Sequence, residues 1–70
     1  VYIEGMSKKH FEAAAARIAG LRKVAALIPE ADARAHQMAA ADGAEAIVIA
    51  LGQEFNPRFD VARFHAACQP

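Results

Sequence analysis

Asn56-Pro57-Arg58-Phe59-Asp60-Val61-Ala62-Arg63-Phe64-His65-Ala66-Ala67-Cys68 stops one helix, turns the backbone and starts another. The residue before a proline is pushed out of helical geometry, so Asn56-Pro57 closes whatever helix precedes it. Asp60 is a strong N-cap, because its carboxylate can accept from a free amide of the first helical turn. Phe59 precedes that cap and Phe64 is its fourth helical residue, the spacing of a hydrophobic staple. Val61, Phe64 and Cys68 then share one face of a short final helix. The stretch predicts a chain that folds back on itself through a helical corner, and with it an all-α protein.

Upstream, a second and longest helix is expected from about Pro29 to Phe55. Proline suits the first position of a helix, and Glu30 and Asp32 complement its N-terminal dipole. Asp42-Gly43 is a turn pair in other contexts, which leaves open whether this helix is one piece or two. Ala41, Ala44, Val48, Leu51 and Phe55 form an apolar stripe. Ile47 and Ile49 fall outside it and make the segment apolar nearly all round. A helix of that kind is covered on every side, so Ile47 and Ile49 are the candidates for self-association into a homodimer or larger assembly. The β-branched residues of Ala46–Leu51 would also permit a strand. Helix is favoured, because the stripe continues in helical step to Phe55 and no second good strand is present to pair with it.

The first helix begins after Ser7, a good N-cap, with Met6 and Phe11 again at staple spacing. Phe11, Ala14, Ala15, Ile18, Leu21, Ala25 and Ile28 recur at three- and four-residue steps and make one amphipathic face. Lys8, Lys9, Arg22 and Lys23 are read on the opposite, outer face. Neither Ser7 nor Asp60 is followed three residues later by Glu or Gln, so no capping box is expected at either start. The expected core is Phe11, Ile18, Leu21, Val48, Leu51, Phe55, Phe59 and Phe64. Residues 1–6 read as an N-terminal extension, disordered or ordered only by contact with another chain, because Met6-Ser7-Lys8-Lys9 resembles a natural start. Residues 7–70 read as a single helical domain.

Composition narrows the function classes. A chain of 70 residues buries only about 60% of its unfolded surface. Small scaffolds usually need a disulfide, a metal or a partner as support. One cysteine, Cys68, allows no internal disulfide, and His10, His36 and His65 share no ligand spacing with it. A second copy is therefore the expected support. Eight basic and eight acidic residues give a net charge of zero, which excludes an acidic DNA mimic and a strongly basic nucleic-acid binder. No apolar run approaches the roughly 20 residues that span a bilayer, and no secretory signal is legible. A lone cysteine fits a reducing cytoplasm.

No catalytic site, metal site or cofactor is expected. His65 and Cys68 are one helical turn apart, but a catalytic thiol needs an electropositive, partly exposed setting that nothing around Cys68 provides. Glu45 and Glu54 look isolated. The candidate partner-binding residues are basic: Lys8, Lys9, Arg22 and Lys23 on the first helix, and Arg58 and Arg63 flanking Asp60 at the corner. Lys8 and Lys9 oppose the dipole at a helix start, a cost that invites a reason. An arginine pair on a rigid corner can grip carboxylates. The function expected is non-catalytic protein–protein contact. The alternative is a small nucleic-acid-binding module that uses the basic face of the first helix.

Ser7-Lys8-Lys9-His10-Phe11-Glu12 and the Asn56–Cys68 stretch together resemble short bacteriophage- and prophage-encoded proteins. In that group a "KKHFE"-like opening is joined through a variable middle to an "NPRFDxxRFxxAC" close. The match covers about a third of the chain. Gln69-Pro70 stands where the group would place glycine after the cysteine. The resemblance implies a small helical protein of a mobile element, working in the cytoplasm of a bacterial host on a host or phage protein. The group has no settled activity, so no functional residue is carried over from it.

Overall fold

The computed structural model describes residues 7–70, and these form three helices with no strand among them. Helix α1 spans Lys8–Ala26, α2 spans Ala31–Phe55 and α3 spans Val61–Ala67. The expected extension at 1–6, and the Met6 half of the first staple, lie outside the described residues.

Both helices of the main hairpin carry four-three spaced seams. On α1 the buried residues are Phe11, Ala15, Ile18, Arg22 and Ala25. On α2 they are Ala41, Glu45 and Gly52, with Val48 half-buried between the last two. This spacing keeps one side of each helix turned to the other. The turn at 27–30 is tied by the Arg34 guanidinium, which donates to the Ile28 carbonyl at 2.9 Å. Pro29 therefore lies just before α2, whose N-cap is Glu30.

The corner closes as its residues predict. The Asn56 amide donates to the Gly52 carbonyl at 2.9 Å, and the Asn56 side-chain oxygen accepts from the Arg58 amide at 3.0 Å. Asp60 Oδ1 accepts from the Arg63 amide at 3.0 Å and caps α3. The second staple is formed, with the Phe59 and Phe64 ring centroids 5.5 Å apart. Phe59 also lies across Gly52. A Cβ at that position would stand 2.9 Å from the ring, so α2 admits the corner only through a glycine.

One open question is answered and three expectations are corrected. Asp42-Gly43 does not interrupt α2, which runs unbroken for 25 residues, or about 37 Å. Gly43 therefore sits inside a helix, at a cost of about 1 kcal/mol relative to alanine. Leu21, Leu51 and Phe55 are exposed, Phe55 by 62%, and stand outside the core. Their positions flank the seams, which are filled by Phe11 and Ile18 together with alanines, Arg22, Glu45 and Gly52. The start of α1 has the reverse half of a capping box, since His10 Nδ1 accepts from the Ser7 amide at 3.1 Å in place of Glu or Gln. Ile47 and Ile49 do not share a face. Ile49 packs against the core cluster, whereas Ile47 is 64% exposed.

Candidate functional site

Two constellations stand out, one buried and one open. The buried one begins with Arg22, which occupies a seam position of α1 and is not on an outer basic face. Its Nη1 donates to Glu45 Oε1 at 2.6 Å and to the Cys68 carbonyl at 3.0 Å. Its Nη2 donates to Asp42 Oδ1 at 2.8 Å. The other Glu45 oxygen accepts from His65 Nδ1 at 2.5 Å, the ring nitrogen carrying the proton because a carboxylate only accepts. All three helices are thereby joined through one guanidinium and one carboxylate. The Arg22 and Glu45 side chains are each only 8% exposed, while Asp42 and His65 reach water.

Burial on its own would push the Glu45 carboxyl up. The hydrogen bonds from His65 and Arg22, with their charges, more than offset it and hold the group below the usual carboxylate range. Burial, and then the Glu45 charge, pushes the Cys68 thiol up. Cys68 is fully buried. Its thiol is kept protonated and inaccessible, and the imidazole of His65 is engaged by Glu45, so the residues do not form a nucleophile pair. Among the described residues, every buried side-chain nitrogen and oxygen has a partner, and no group of His, Cys, Asp and Glu is arranged to hold a metal ion. No described helix is long and apolar enough to cross a membrane.

The open constellation is a groove of about 270 Å³ between the first turns of α1 and the corner leading into α3. Phe11, Phe59 and Phe64 make its floor. Phe11 and Phe59 lie 4.6 Å apart, and Phe11 meets Phe64 edge-on at 6.1 Å. Lys8, Arg58 and Arg63 stand at its rim with Glu12 and Asp60. Glu12 pairs loosely with Lys8 at 4.0 Å, and Asp60 is engaged as the α3 cap. Among the described residues neither Arg58 nor Arg63 has an ion-pair partner.

The structure thus divides the sequence-predicted basic residues. Lys8, Arg58 and Arg63, from opposite ends of the described chain, meet at one groove. Lys9 is exposed but does not line it. Arg22 is internal. Lys23 is exposed near the other end of α1, about 22 Å along the helix from Lys8. Asp42, Glu45 and His65 were missed as a set. The available signal was the four-three spacing of Phe11, Ala15, Ile18, Arg22 and Ala25, which already places Arg22 in the seam, where a buried cation requires a carboxylate.

Comparisons with protein-family models, curated proteins and solved structures give no match to this chain.

Proposed function

We propose that the chain is a non-catalytic contact module whose groove takes a segment of another protein. The observation that carries this is the convergence of Lys8, Arg58 and Arg63 around the floor of Phe11, Phe59 and Phe64. A three-ring apolar floor suits one bulky apolar side chain, and aromatic and arginine residues are the usual anchors of such contacts. The rim cations favour a partner with acidic residues on either side of that anchor. Guanidiniums that have no ion-pair partner among the described residues can take carboxylates two oxygens at a time. The floor is held rigid by the Asp60 cap and the Gly52–Phe59 approach, which lowers the ordering cost of binding. The resemblance to mobile-element proteins favours a bacterial or phage protein as the partner.

Fluorescence anisotropy tests this with labelled peptides that carry Phe or Leu between acidic residues, against versions with lysines in the same places. Binding of the acidic set alone, lost at least tenfold in the Arg58→Glu/Arg63→Glu double variant, supports the reading. Equal binding of both sets, or full retention in the double variant, overturns it. Retention of labelled DNA or RNA at low salt, falling steeply as salt rises, would support the nucleic-acid alternative in its place.

A further inference from the structure

Gly43, Ile47 and Leu51 lie on the side of α2 turned away from its seam, and each is exposed. Ala39, Ala40, Ala46 and Ala50 surround them and are exposed as well. Between His36 and Glu54 that side carries no charge, since Asp42 lies toward Arg22 and Glu45 lies in the seam.

Two observations separate this face from ordinary exposed apolar surface. The first is Gly43. No glycine of the described chain has a positive φ, and a Cβ at Gly43 would meet nothing within 4 Å. Neither backbone geometry nor the chain's own packing requires a glycine there. Gly20 is equally free of such demands, so a glycine alone does not require a partner, but at Gly43 the missing side chain leaves room for a helix to approach closely from outside the chain. The second is a match of size and charge about the level of Glu45. Ile47 and Gly43 are equidistant from it, as are Leu51 and Ala39, Ala50 and Ala40, and Glu54 and His36. In an antiparallel pair of α2 helices these positions come side by side, so that large meets small and the carboxylate meets the imidazole.

We propose that two copies of the chain pair antiparallel through this face, about a two-fold axis level with Glu45, each Ile47 set beside Gly43 of the second copy. A two-fold interface uses the same patch twice, which the matched positions satisfy. Small residues let the helix axes come to the near end of the usual spacing of about 8–10 Å. The pairing also answers a deficit inside one chain, where the largest fully buried side chain is that of Cys68. Ile49 takes no part, and both the Arg22 network and the Phe11 groove stay clear of the interface.

Sedimentation equilibrium on the whole chain over a wide concentration range tests this. The expected mass is twice 7.5 kDa. Ile47→Glu and Gly43→Leu each bring the mass down to that of one chain, with the helical circular dichroism kept, because both positions are exposed in the single chain. Glu54→Lys weakens pairing about tenfold, since a symmetric interface carries the lost contact twice, and adding His36→Glu restores it. A single-chain mass for the unaltered protein, or a persistent dimer in either of the first two variants, overturns the proposal. Failure of the charge exchange to restore pairing overturns the register and the proposal with it.

Discussion

Gly52 and Gly20 both lie inside helices, yet they answer to opposite demands. At Gly52 the Phe59 ring rests against the backbone, and a methyl group would collide with the ring close to its root. Overpacking of this kind costs about 1–3 kcal/mol, and the better helix propensity of alanine returns at most about 1. Gly52→Ala is therefore expected to lower the urea midpoint and loosen the corner. Gly20 has nothing within 4 Å of its would-be Cβ. Gly20→Ala should raise stability by about 0.5–1 kcal/mol in the same assay, through propensity alone. Asp60 joins two roles in one residue, since it caps α3 and places a negative charge among the groove's cations. Asp60→Ala should cost about 1 kcal/mol. Asp60→Ser keeps a capping oxygen and removes the charge, so it should leave the urea midpoint nearly unchanged while tightening the binding of acidic peptides.

Between elements, the decisive contact is the pair formed by Arg22 of α1 and Glu45 of α2, extended to α3 through His65 and the Cys68 carbonyl. Removing one member of a buried pair strands the other. Arg22→Ala is expected to cost roughly 3 kcal/mol, the low end for such pairs because Asp42 and His65 keep the edge of the network in water. Replacing both by apolar residues, as in Arg22→Met/Glu45→Leu, should cost less than either single truncation, because no charge is left buried and unpaired. A double-mutant cycle in urea measures the coupling, and simple additivity would count against the pair as the joint of the three helices. The same elements show what could be read in advance. Asn56-Pro57, Asp60 and the Phe59/Phe64 staple are local signals, and they located the corner and α3. The groove rim was half legible, since Lys8, Arg58 and Arg63 were recognisable one by one, while their meeting depends on a fold that joins the chain's two ends. Leu21, Leu51 and Phe55 lie just off the four-three seam, and size alone does not bring an apolar residue into it. The seam alternates Phe11 and Ile18 with alanines, and Leu21, Leu51 and Phe55 are left on its flanks. Arg22 is charged yet internal, and its position in the four-three pattern marks it as such.

Across the whole molecule, α3 is only seven residues long and too short to hold its shape without tertiary support. It is kept in place by the Phe11–Phe59–Phe64 cluster on one side and the Glu45 network on the other. Only the second depends on ionisation. Glu45 is faced by Arg22 from α1 and by His65 and the Cys68 thiol from the α3 segment, while Asp42 on its own helix and the Cys68 carbonyl are engaged by Arg22. Its folded pKa lies below the ordinary value of 4.5. The unfolded chain therefore takes up this proton first as the solution is acidified. The stability that Glu45 contributes is whole above about pH 4.5 and declines as the pH falls through the folded pKa. Urea midpoints measured from neutral to acid pH should fall in that window for the unaltered chain and fall less for Glu45→Gln. An NMR titration of the Glu45 carboxyl carbon should give a midpoint below the ordinary carboxylate range without altering the residue. A midpoint at or above that range would mean that the bonds from His65 and Arg22 do not outweigh burial, and the ionisation of Glu45 would then add nothing to the hold on α3.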